Sequence, residues 1–338
     1  MNIFIIYTGG TIGMVQDESG TFVPFDFELI QRNLPDLSRL NYQQTVHSFN
    51  PIIDSSNMTP EIWLEMARLI RDNYDNYDGF VILHGSDTMA FSASVLSFLL
   101  EGLQKPVIFS GSQLPIGEIR TDARENMMTA LEIASAKHNG KAIVQEVCIL
   151  FDNKLFRGNR SFKYNSAKFE AFRSPNYPVL AEAGIHLKYN FDALMNNSDK
   201  EFISHNHLDN SVAVLKLFPG ISSSTIKAII NSDVRSVVME TFGSGNTTTE
   251  KWFLDLLSDA IRNGKNILNI SQCKVGSVEL GRYETSQGLK SIGVLNGYDM
   301  TFEAAVTKFM YLQGELADQD AVAYWIEKDL RGELTIND

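Results

Sequence analysis

Short apolar runs alternate along this chain with segments of helical periodicity. The clearest runs are 2–7, 80–84, 106–110 and 147–151, followed by 212–217, 234–241 and 266–270. Each is too short for a core helix and ends in small or polar residues, the form of a buried strand. Between them the spacing predicts helices. Thr59 reads as an N-cap, Pro60 as a first helical residue and Glu61 as an acid suited to the positive helix start. Ile62, Met66, Leu69 and Ile70 then form one apolar stripe. Further helices are expected near Thr88, near Asp122, over 248–263 and over 301–312. Strand–helix alternation of this kind predicts an α/β fold with parallel sheets and crossover helices.

The length, 338 residues, exceeds what one hydrophobic core usually serves. Residues 190–210 are polar and lack a sustained apolar period, so they read as a linker. The expected division is a catalytic α/β domain over 1–189, the linker, and a smaller C-terminal α/β domain over 211–338. The larger domain is expected to be of Rossmann-like or flavodoxin-like form.

Composition changes this picture little. A hydrophobic fraction of 44% and a charged fraction of 21% are those of an ordinary globular protein. The net charge of −12 argues against a nucleic-acid partner, which would need clustered Lys and Arg. Two cysteines in so long a chain make no disulfide framework and fit a reducing compartment. The apolar start runs straight into a glycine turn, without a basic leader or cleavage site, and no run of about 20 apolar residues offers a membrane span. The cytoplasm is the expected location.

In open parallel sheets, ligands bind outside the carboxyl ends of the strands. Three such places are rich in glycine and hydroxyl groups: 8–13, 85–88 and 111–115. The first, Thr8-Gly9-Gly10-Thr11-Ile12-Gly13, resembles a dinucleotide fingerprint but has Thr8 where the first glycine belongs, and no helical pattern follows. A plain turn is a second reading. A third, which the residues favour, is a turn whose glycines let backbone approach a small ligand while Thr11 projects its hydroxyl. In His84-Gly85-Ser86-Asp87-Thr88-Met89, Ser86 or Asp87 can simply cap the next helix; equally, a hydroxyl beside a carboxylate can hold a cationic amine. Asp54-Ser55-Ser56-Asn57 reads either as a loop and cap or as a carboxylate-binding helix start. Lys163 is an ordinary surface lysine unless the fold brings it beside Ser86. The six histidines show no metal-ligand spacing.

Taken together, these segments resemble the bacterial-type L-asparaginase family. The resemblance rests on 7–13 and 79–89, and extends through 105–108, 111–113, 171–176, 242–246 and 330–334. Residues 54–56 and 157–160 make it most similar to the cytoplasmic type I branch. It implies hydrolysis of L-asparagine to L-aspartate and ammonia, with Thr11 as nucleophile forming an acyl-enzyme and Ser86, Asp87 and Lys163 as a second catalytic group. It further implies substrate binding by Asp54, Ser55, Ser56, Ser86 and Asp87, with Asn246 reaching a neighbour's site in a homodimer or homotetramer. No metal, nucleotide or other cofactor is implied. A related amidotransferase subunit or glutaminase is the alternative activity, and a nucleotide-binding enzyme a remoter one.

Three departures stand out. Ser86 occupies a position that is usually threonine, and loses the methyl that restricts its rotamer. The loop after Thr11 often supplies a tyrosine to assist the nucleophile, whereas this chain offers Thr21 and Phe22, of which only Thr21 has a hydroxyl. Some type I relatives are activated by asparagine at a second site that includes an arginine. Here that position is Glu240, so hyperbolic saturation is expected.

Overall fold

The apolar runs form the parallel centres of two sheets. The structure, a computed structural model, describes residues 1–16, 22–24 and 43–336. Two compact units are present, Met1–Asn206 and His207–Asp338.

The first unit is built on eight strands: β1 (Asn2–Tyr7), β2 (Gln43–Ser48), β3 (Gly79–Leu83), β4 (Val107–Ser110), β5 (Val147–Phe151), β6 (Lys154–Arg157), β7 (Ala181–Ala183) and β8 (Leu187–Tyr189). Their order across the sheet is β8-β7-β6-β5-β4-β3-β1-β2. Strands β1 to β5 pair in parallel. The last three strands are added antiparallel, so the larger sheet is mixed. A two-residue turn starts that extension. Asp152 and Asn153 take φ of 47° and 63°, the left-handed pair that matches a hairpin's twist.

Alternation assigns the faces. Ile3, Ile5 and Tyr7 join Val81, Leu83, Ile108, Cys148 and Leu150 in one core, with Met127, Ala130 and Leu131 of the helix Ala123–Ser135. On the other face the Phe4 and Phe80 rings meet edge-on, 6.2 Å apart. The helix Pro60–Asn73 has Thr59 at its N-cap position, but the Thr59 side chain makes no cap hydrogen bond; Pro60 and Glu61 supply the start signals. Ten of the eleven residues of the helix Met89–Leu99 are buried.

The second unit carries four strands: β9 (Val212–Lys216), β10 (Ser236–Thr241), β11 (Asn266–Ser271) and β12 (Leu295–Asn296), in that order and all parallel. Thr301 caps the helix Phe302–Glu315 by accepting from the Ala304 amide.

The boundary between units falls within 190–210, and much of that polar segment is hydrogen-bonded to the first unit. The Met195 amide donates to Glu146, whose carboxylate is paired at 2.6 Å with buried Arg157. Asn197 bonds Gln145, and Ile203–Ser204 pairs with Leu100–Glu101.

Candidate active site

Strand order reverses at β1: β2 is added on one side of it, and β3, β4 and β5 on the other. Such a switch point opens a crevice at the carboxyl ends of the strands. Here the turns after β1, β2 and β3 converge. The Thr8 amide donates to Leu83 O (3.0 Å), the Ile53 amide to Thr8 O (2.7 Å), and Thr88 Oγ1 to Ser55 O (2.7 Å). Glycine makes the approach possible. Gly10 has φ 93°, and a methyl built on it would lie 2.5 Å from the Gly85 nitrogen. One built on Gly85 would lie 2.5 Å from Ser55 Oγ.

Thr11 follows at once, half-buried, opening the 3-10 turn Thr11–Gly13 over buried Ile12. Among the described residues that turn leads directly into the strand Met14–Gln16, which pairs antiparallel with Phe22–Pro24. Among these residues the turn therefore does not open directly onto the helix N-terminus on which a dinucleotide pyrophosphate would rest. Thr21 lies outside the described residues.

Ser86 and Asp87 are not spent on capping. The next helix begins at Met89 with Thr88 at the cap position, and no side chain caps it. Instead, Lys163 donates from Nζ to Ser86 Oγ at 2.8 Å and to Asp87 Oδ1 at 2.6 Å. Lys163 sits on the short strand Phe162–Lys163, paired with Phe172–Arg173. Its side chain is 18% exposed and that of Asp87 is 65% exposed, so the carboxylate can still receive a cation from solvent. Asp54 accepts from the Ser56 amide (2.8 Å) and caps the turn Ser55–Asn57. Ser55 is buried against Gly85, whereas Ser56 is exposed.

His84 has more to do than end a strand. Trp63 Nε1 donates to Ser92 Oγ (2.8 Å), Ser92 pairs with His84 Nε2 (2.9 Å), and His84 Nδ1 lies 2.7 Å from Gly85 O. The Gly85 carbonyl can only accept, so the ring carries its proton on Nδ1 and accepts from Ser92 at Nε2. Burial pushes its pKa down to about 4, against the opposing bond to Gly85. A neutral imidazole thus anchors the turn that carries Ser86. Its signal in sequence was an apolar strand ending in a polar residue, which does not reveal the chain of donors behind it.

Gln113, in the turn after β4, places Oε1 3.3 Å from Ser86 Oγ. Sequence marked this turn as a strand end but gave Gln113 no role. Asp122 holds its backbone amide at 3.0 Å; burial pushes the Asp122 carboxyl up, against the amides of Gln113 and Leu114 that donate to it. Among the described residues, no group of three His, Cys, Asp or Glu is placed to hold a metal ion.

Comparison with known proteins decides the family. The family model for "Asparaginase, N-terminal" matches residues 2–194, and that for "Glutaminase/Asparaginase C-terminal domain" matches residues 211–326. The chain belongs to the asparaginase family. It is 41% identical over 341 residues to L-asparaginase 1 of Escherichia coli, across 100% of this chain and 99% of that protein. The crystal structure of L-asparaginase I from Vibrio cholerae matches with a TM-score of 0.90 at 39% identity, covering 99% of both chains. The thermostable L-asparaginase from Thermococcus kodakarensis matches with a TM-score of 0.91 at 29% identity, covering 100% of both.

In this asparaginase-family chain, the remaining sequence candidate, Asn246, belongs to the second unit. It closes a tight turn after β10, where Phe242 and Asn246 bond each other's backbone and Asn269 Nδ2 holds Gly245 O at 3.0 Å. Glu240, at the position where the resemblance points to arginine, is buried on β10 with Lys216 Nζ 3.4 Å from its Oε2.

Proposed function

We propose that the chain hydrolyses L-asparagine to L-aspartate and ammonia through an ester on Thr11. The observation that carries this reading is the Lys163 ammonium held between Ser86 Oγ and Asp87 Oδ1, beside the glycine contact that brings in the Thr11 turn. Thr11 Oγ1 attacks the side-chain carbonyl carbon, the C–N bond breaks, and the nitrogen leaves as ammonia. Water then attacks the ester, returning the Thr11 hydroxyl and releasing aspartate. A neutral hydroxyl needs activation to act so. Ser86 and Lys163 carry protons between the nucleophile, the leaving group and water, the work that histidine does elsewhere.

The substrate's charged ends match the remaining groups. Asp87 receives the α-ammonium on its exposed carboxylate, aided by Asp54, while the hydroxyls of Ser55 and Ser56 take the α-carboxylate. The amides of the Gly85–Ser86 turn, fixed through His84, face the oxygen that becomes negative on attack.

The exposed free thiol of Cys273 and buried Cys148 agree with a reducing cytoplasm. Assembly as a homodimer or homotetramer, with Asn246 lent to a neighbour, rests on the family resemblance and is checked by sedimentation. The deciding experiment measures ammonia release from asparagine and glutamine by wild type and Thr11→Ala, with mass spectrometry of acid-quenched reactions. An aspartyl ester on another side chain would reassign the nucleophile. Equal turnover of glutamine would widen the substrate class, since one methylene is worth only about 1–3 kcal/mol.

A further inference from the structure

Serine has no second heavy atom on Cβ, so nothing intrinsic favours one χ1 well for Ser86 as a β-branched residue would. Its hydroxyl offers one proton and two lone pairs. Lys163 Nζ donates into one lone pair at 2.8 Å. The proton then goes to an acceptor, and Gln113 Oε1 stands 3.3 Å away. This leaves the second lone pair for an incoming O–H.

The arrangement holds only if the Gln113 amide keeps its oxygen toward Ser86, and its surroundings enforce that. Gln113 Nε2 donates to Lys168 O at 3.0 Å and lies 3.5 Å from Asn165 O. A flipped amide would set its oxygen against both carbonyls and its N–H groups against the Ser86 proton. The two carbonyls are themselves fixed, because Asn165 Oδ1 accepts from the amides of Ala167 (2.8 Å) and Lys168 (3.1 Å). The Gln113 backbone is held in turn by Asp122. Segment 163–168 thus supplies both the ammonium that meets Ser86 and the carbonyls that orient the amide.

We propose that Gln113 is a positioning residue that fixes the rotamer and proton direction of Ser86, doing by hydrogen bonding what a β-methyl would do by sterics. The inference rests on the reading of Ser86 as part of the proton path. On this proposal Gln113 acts through the Ser86 hydroxyl, so its loss is expected to act on turnover more than on binding. One neutral hydrogen bond is worth about 0.5–1.5 kcal/mol, so Gln113→Met lowers kcat by up to about tenfold with KM nearly unchanged.

The test is a double-mutant cycle between positions 86 and 113, with thermal midpoints recorded to show that each variant is folded. Gln113→Met is made in the wild type and in Ser86→Thr, where the added methyl restricts χ1 independently. The expected result is a kcat loss with Ser86 present that shrinks to less than about threefold with threonine there. Equal losses in both backgrounds, or a change in KM alone, overturn the proposal. Should the Met variant not fold, Gln113→Leu replaces it; it likewise lacks the acceptor for the Ser86 proton and is compared in the same two backgrounds with the same outcomes. Thr11→Ala run alongside separates the two ideas. If it retains turnover, the nucleophile is misassigned, while the 86–113 coupling is still read on the remaining activity.

Discussion

Two lysine–carboxylate pairs of nearly equal length sit in the two units of this chain, and they do opposite things. Lys163 meets Asp87 at 2.6 Å with side chains 18% and 65% exposed, whereas Lys308 meets Glu333 at 2.5 Å with both fully buried. The first pair lies at the carboxyl edge of a parallel sheet beside turns rich in glycine and hydroxyls. In the second, Lys308 also donates to Ile326 O and Lys328 O, and Glu333 accepts from the amides of Leu330 and Arg331. Burial opposes ionisation of Glu333, but the Lys308 ammonium, with the amides of Arg331 and Glu333 itself, outweighs it and holds the carboxyl below its usual range. The buried pair locks the C-terminal segment onto the helix Phe302–Glu315. The exposed pair contributes only about 0–1 kcal/mol to folding, and so remains available for chemistry.

This contrast can be tested from both sides. Thr11→Ala removes the nucleophile beside the exposed pair and lowers kcat by on the order of 10⁴-fold or more, measured as ammonia release. Lys308→Met strands the buried Glu333 carboxylate and costs about 3–5 kcal/mol in urea unfolding, while turnover per folded molecule is preserved. Lys308→Met/Glu333→Gln recovers part of that loss; an unchanged unfolding midpoint in the single variant would show that the pair locks nothing.

His84 gives a pH signature to the first unit. Its folded pKa is depressed, so its neutral form stabilises the fold fully above its ordinary value near 6.5, and this contribution is lost as pH falls toward about 4. The change is on the order of 3 kcal/mol. In His84→Gln the pH dependence of the unfolding midpoint flattens across that window. Lys163→Met lowers kcat on the order of a hundredfold, within the range for a positioned acid or base, and shifts the thermal midpoint little. A collapse of stability there would erase the difference between the two pairs. Finally, with Glu240 paired to Lys216, initial rates rise hyperbolically with asparagine; a sigmoidal curve on purified protein would count against this.

The strands that sequence shows well are those with neighbours on both sides. β1, β3, β4 and β5 carry unbroken apolar runs because both faces of the sheet are covered. Strand β2 (Gln43–Ser48) escaped that reading because, among the described residues, it is an edge strand paired with β1 alone, and its half-exposed residues Gln-Gln-Thr-Val-His-Ser form no apolar run. The antiparallel extension β6 to β8 was hidden for a related reason. Its strands are two to four residues long as paired segments, too short for a period to emerge, and the Asp152-Asn153 turn lacks glycine.

What the sequence determined alone is local: the apolar runs, the glycine turns after them, and the presence of Thr11, Ser86, Asp87 and Asp54 at strand ends. These follow from backbone sterics and burial, which act over a few residues. Whether Ser86 and Asp87 cap a helix or meet Lys163, 76 residues beyond Asp87, depended on strand order, as did the contact between Gly10 and Gly85. The roles of His84 and Gln113 likewise appear only once distant segments deliver their partners. Hydrogen bonds act over about 3 Å and carry no record of sequence separation, so only the folded chain specifies which donor meets which acceptor.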